Sequence, residues 1–206
     1  MDNTYFISDF CHITAEEVSV NGTVILKNET AGFETFLKEV YQAIDLKYSK
    51  FFKMDTLSKL TFLGAELLLK KEGSDVENWK ETALVFSNKS SSLETDRKHQ
   101  QSIEDSENFY PSPAVFVYTL PNIGMGEVAI RHQLQTDNAF FVFDEFEPEF
   151  LQKYTVSLLQ EKKCSQILCG WTEVDGVSRH GFFYVVSQHG TTLHTKQNIK
   201  NIYTQS

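Results

Sequence analysis

What most constrains this chain is a hydrophobic period that switches back and forth along its length. Tyr5 to Phe10 alternates loosely and carries aromatic and β-branched residues, which suits a strand. Val18 to Leu26 holds Asn21-Gly22 between apolar pairs, a strong hairpin signal. From Phe33 the period becomes helical: Phe36, Leu37, Val40, Tyr41 and Ile44 share one stripe with it. A second helix is expected from Asp55, an N-cap residue, through Leu57, Leu60, Leu63, Leu67 and Leu68, with Gly73 as its stop. Thr82 to Phe86 reads as a strand, Lys89 to Asn108 as polar loop plus exposed helix, and Ala114 to Leu120 as an apolar segment opened by Pro111 and Pro113. Ile123 to Leu134 reads as helix and Ala139 to Phe143 as a dense strand. A helix then opens at Glu147-Pro148 and runs to about Lys163. Ser165 to Trp171 and Phe182 to Ser187 follow as strands around an Asp175-Gly176 turn, close enough to pair antiparallel. Five strands alternating with helices imply an α/β layer structure on a mostly parallel mixed sheet, helices on both faces. One domain over 1–190 is expected, then a polar, partly ordered tail over 191–206.

At 206 residues with 41% apolar and 23% charged, the chain can bury one substantial core. Its formal charge of −9 opposes non-specific binding to nucleic acid or anionic membrane. No apolar run reaches the roughly 18 residues of a membrane span. Three cysteines and no basic leader segment point to a cytoplasmic protein with reduced thiols. The six histidines show no tight ligand spacing, and Cys164 and Cys169 would face opposite sides of an extended strand, so no metal is expected. Gly124-Met125-Gly126 lacks the third glycine and the preceding strand of a dinucleotide site, and no P-loop or GxSxG elbow occurs; no cofactor is expected. The acidic run Asp144, Glu145, Glu147, Glu149 suits a hard cation, but the positive end of a helix is the better explanation of it.

Several segments, in order, resemble the β-ketoacyl synthases of the thiolase fold. Lys53-Met54-Asp55 before a leucine-rich helix is similar to a tripeptide that opens a helix there. Ser112-Pro113, Phe116, Thr119 and Pro121-Asn122, with Gly126, Ala129 and Ile130, look like the family's proline-asparagine motif and the helix after it. Asn138, the Ala139–Phe143 strand, the helix after Pro148 and Ile167-Leu168-Cys169-Gly170 continue the match. The likeness is to short proteins keeping only the N-terminal half, some of which accompany true ketosynthases in aryl-polyene and flexirubin-type clusters. The resemblance implies a single thiolase-like half.

The departure lies at the nucleophile. The family sets a cysteine after the third strand, at a helix N-terminus where amides and dipole favour the thiolate and hold the thioester oxyanion. Ungapped comparison puts Glu145 there, flanked by Asp144 and Phe146. The family's two catalytic histidines belong to the C-terminal half, and His180 and His189 do not stand in matching motifs. The helix after Pro148 gathers Phe150, Leu151, Tyr154, Leu158 and Leu159 on one arc against Gln152, Lys153, Ser157 and Gln160, with Val156 out of place, as expected of a half-fold that stands alone.

The resemblance therefore implies a catalytically inactive subunit, like a chain-length factor, paired with a full-length ketosynthase in fatty acid or polyketide synthesis. Acyl carrier protein is a further partner it implies, and a homodimer is compatible with it. By the same resemblance Phe140 to Phe143, including Phe141, are expected at a pairing interface, and Tyr118, Thr119, Pro121, Asn122 and Met125 near the pocket; plain core packing explains Phe141 and Phe143 equally well. Two alternatives stay open: a hydrolase using Asp144 and Glu145, and an acyl or acyl-carrier-protein binding module in which Lys89 and Ser90 to Ser92 meet phosphopantetheine.

Overall fold

The computed structural model describes residues 4–29, 32–69, 80–105, 107 and 110–205. Strands β1 (Phe6–Ile13), β2 (Glu17–Val20) and β3 (Thr23–Lys27) come first. Helix α1 (Phe33–Ala43), a 3-10 turn (Ser49–Lys53) and α2 (Thr56–Leu69) lead to β4 (Thr82–Asn88). Helices α3 (Leu93–Ile103), α4 (Pro113–Val117) and α5 (Ile123–His132) precede β5 (Asn138–Val142). Then come α6 (Pro148–Gln160), β6 (Gln166–Asp175), β7 (Ser178–Ser187), β8 (Thr192–Leu193) and α7 (Lys196–Tyr203).

One mixed sheet runs in the order β3-β2-β1-β7-β6-β4-β5, with β8 paired to β1. The five expected strands are β1, β4, β5, β6 and β7. The sheet nonetheless has eight, because the Asn21-Gly22 hairpin adds β2 and β3 to it through β1, where Cys11 faces Val20, and β8 pairs at Phe6 and Ile7. Both turn residues take the positive φ such a turn requires, 51° and 77°. Among the described strands parallel pairing is confined to β5-β4-β6, so the sheet is less parallel than expected; every other pair is antiparallel, through short turns in β1-β2-β3 and β6-β7 and through long-range pairing of β1 with β7 and β8.

Helices cover both faces. Leu37, Leu60, Leu63 and Val128 of α1, α2 and α5 pack with Leu84, Phe86 and Phe183 on one side. Leu151, Leu158, Ile199 and Ile202 of α6 and α7 pack with Val85, Ile167, Cys169 and Tyr184 on the other. Asp55 caps α2 as expected: one carboxylate oxygen accepts the Ser58 N–H at 2.9 Å, and the other accepts the Thr95 hydroxyl of α3 at 2.6 Å. Gly73, the expected stop of α2, lies outside the described residues. Helix α6 ends at Gln160, earlier than expected, where the Lys162 and Lys163 amides return to Leu159 and Leu158.

The segment after residue 190 is not a loose tail. β8 joins the sheet, the Thr195 hydroxyl caps α7 by accepting the Asn198 N–H at 3.2 Å, and Ile199 and Ile202 are buried. Burial pushes His12, His180 and His194 down to about 4, helped in His12 by the neighbouring His180. The unfolded chain, with ordinary imidazoles near 6.5, binds more protons between those values. This contribution to stability is whole above about pH 6.5 and is lost as pH falls toward about 4. The urea midpoint should fall steadily over that window, and less steeply in His194→Phe; a flat profile would contradict the burial of neutral imidazoles.

Candidate functional site

Parallel strands β5, β4 and β6 end at one rim of the sheet, and the loops leaving them carry the residues singled out in the sequence. After β4 the chain is tied down. The Asn88 side chain donates to the Ser91 carbonyl at 2.8 Å and accepts the Ser91 N–H at 3.0 Å. The buried Glu173 carboxylate accepts the Lys89 and Ser90 N–H groups at 2.8 and 3.2 Å. Those amides are the donors a phosphate would use, and they are taken. Ser92 donates to the Thr119 carbonyl at 2.6 Å, linking this loop to the segment after α4.

After β5, Asp144 and Glu145 are exposed, three and two residues before the N-cap Glu147 of α6. Phe146 turns inward, stacked on Tyr203 at 4.2 Å with its edge toward Trp171 and Phe182. Glu145, Phe146, Pro148, Lys196, Lys200 and Tyr203 border a groove of about 440 Å³. Glu149, one member of the acidic run, receives Lys153 at 2.7 Å and Lys196 at 2.5 Å, which hold its carboxyl down at about 2. Among the described residues no group of three His, Cys, Asp or Glu side chains is arranged to hold a metal.

No thiol lines this groove. Cys11 lies in β1 with its sulfur 3.6 Å from the Gly64 carbonyl, Cys169 is buried in β6, and Cys164 precedes β6. Burial pushes all three thiols up, Cys169 to about 12 and Cys164 to about 11, so none is poised as a thiolate.

The expected interface residues divide by pleat. Phe140 packs toward α2 and α5, whereas Phe141 and Phe143 pack toward α6. Phe141 meets Phe150 at 4.8 Å and Tyr154 at 5.1 Å, and Phe143 meets Phe150 at 5.0 Å. The arc read along α6 therefore has two targets: Leu151, Leu158 and Leu159 are buried against the sheet, while the 37% exposed Phe150 and half-buried Tyr154 flank β5. Among the described residues strand β5 pairs only with β4, which leaves its outer edge open to the rest of them, and Val142 is 53% exposed.

Of the expected pocket residues, Met125 is buried in the core, Tyr118, Thr119 and Pro121 are half-buried, and Asn122 is exposed at the N-cap of α5. Beside them Phe116, Val117 and Leu120 face solvent, a patch that reading the residues for a pocket missed. Its signal was present in the run from Ala114 to Leu120, apolar but for Thr119, which offers no polar face.

No family model matches the chain, and no curated protein matches it. Solved structures do. One described as the ishigamide ketosynthase/chain length factor superposes with a TM-score of 0.60 at 16% identity, covering 89% of this chain and 62% of that one. The ketosynthase ApeO in complex with its chain length factor ApeC from Xenorhabdus doucetiae gives 0.57 at 13% identity over 91% and 80%. A β-ketoacyl synthase from Burkholderia phymatum gives 0.59 at 10% identity over 98% and 61%. The chain thus has the ketosynthase-type, thiolase-like α/β fold. It spans about three fifths of the first and third of these chains.

Proposed function

We propose that this chain is a non-catalytic ketosynthase-like subunit that pairs with an active β-ketoacyl synthase and shapes its product, as a chain-length factor does. The observation that carries the reading is the junction after β5, where Asp144 and Glu145 stand exposed and no sulfur borders the groove. In the resembling family this is the position of the attacking thiol, and a carboxylate there cannot carry an acyl chain as a thioester. The open edge of β5, with Val142 on it and the Phe141, Phe143, Phe150 and Tyr154 cluster behind it, supports a pairing face. Tyr118, Thr119, Pro121 and Asn122 stand near the partner's pocket in this reading. Acyl carrier protein would meet the assembled pair in the cytoplasm.

Co-expression with a ketosynthase encoded beside it tests the proposal. Native mass spectrometry should give a one-to-one complex, and Val142→Lys, on an exposed site, should weaken it at least tenfold while leaving this chain's own melting unchanged. A chain that stays apart from that ketosynthase, or that turns over acyl thioesters alone until Glu145→Gln abolishes it, would replace this reading with that of a carboxylate-dependent enzyme.

A further inference from the structure

A separate cleft of about 410 Å³ opens between β2 and the start of β7, bordered by Glu16, Glu17, Ser19, Val177, Arg179 and His180, and shares no lining residue with the groove at the junction. Its chemistry is fixed by a proton count. The Ile202 carbonyl can only accept, so His12 Nε2, 3.1 Å away, carries the proton of that imidazole. The neutral ring leaves His12 Nδ1 bare, and His180 Nε2, at 3.4 Å with the ring planes within 8°, must donate to it. His180 Nδ1 is then an unprotonated acceptor, with no partner among the described residues and still within reach of solvent. Burial keeps both imidazoles neutral at pH 7.

The other groups of the cleft agree in sign. Glu16 and Glu17 carboxylates only accept, and the charge of Arg179 is already matched by Glu94 at 2.7 Å. A bare nitrogen in a cleft that two glutamates also line favours a cation over an anion. No third ligand completes a metal set among the described residues. We propose that the cleft binds the protonated primary amine of a small molecule, an N–H of the ammonium donating to His180 Nδ1 while Glu16 and Glu17 match its charge. The fully exposed Val177 gives the attached alkyl chain an apolar rim.

Histidine-selective nitrogen NMR of the unmodified protein with 1,4-diaminobutane tests this, with tetramethylammonium as a cation of no N–H. The diamine should shift His180 Nδ1 saturably with one-to-one stoichiometry, the tetraalkyl ion should leave it unmoved, and Glu17→Gln, at the rim, should weaken the diamine at least fivefold. Equal small shifts from both cations would reduce the effect to screening of a −9 chain and overturn the proposal. So would saturation of His180 by zinc ion with no response to the diamine.

Discussion

Gly64→Ala is expected to lower the melting temperature by roughly 6–12 °C, taking about 3 kcal/mol of overpacking at about 2–4 °C per kcal/mol for a chain of this size. A Cβ built on Gly64 would lie 1.9, 2.2 and 2.4 Å from three carbons of the Phe183 ring. The ring cannot retreat. It is fully buried, and Cβ atoms at Gly170 and Gly181 would meet it at 2.9 and 3.0 Å, so three glycines on α2, β6 and β7 cage one aromatic side chain. Phe86 closes a further side, edge-on at 5.7 Å. Pairing Gly64→Ala with Phe183→Leu should recover part of the loss, since the two substitutions share one clash. Thermal melts of the two single variants and the pair check this; an alanine variant that melts with the parent would show that α2 does not approach β7 this closely.

Deleting residues 191–206 is expected to abolish cooperative unfolding altogether. The deletion removes Ile199 and Ile202, each worth roughly 1.5–3 kcal/mol of burial, and strips Tyr203 from Phe146 and Phe182. It also takes β8 from β1 and the His12 acceptor at Ile202. Against a total stability of only about 5–15 kcal/mol, that loss leaves little. Ile202→Asp tests the same face without shortening the chain and should precipitate or bind a hydrophobic dye at 25 °C. A truncated chain with an unchanged sharp melt would return the segment to the status of a tail.

The contrast between these two regions shows what the residue pattern could reveal. Asn21-Gly22, the Asp55 cap and Pro148 at a helix start are local signals, since turn geometry and capping are settled within four residues, and the structure follows them. Helix α7 offered only Ile199, Ile202 and Tyr203 as apolar anchors among lysines, asparagines and a glutamine, too few to register as a periodic stripe, although Thr195 was a readable cap. Long-range choices were not legible. Nothing near Phe140 or Phe141 says that β5 is an edge, because that depends on β4 pairing with β6 on its other side. Nor could spacing reveal that the buried Glu66 would meet His132 at 2.7 Å, 66 residues away. At the candidate site, Phe140 to Phe143 were expected at one pairing interface, and the pleat instead sends Phe140 and Phe141 to opposite faces, while the lock of Glu173 on the Lys89 and Ser90 amides spans 84 residues and left no local trace.

The proposed function turns on a ketosynthase-type fold that carries no acyl chain on sulfur. Intact-protein mass spectrometry after incubation with acyl and malonyl thioesters, in one tube with an active ketosynthase, tests it most directly. The ketosynthase should gain the acyl mass and this chain should keep its own. An adduct on this chain mapping to Cys11, Cys164 or Cys169 would contradict the account.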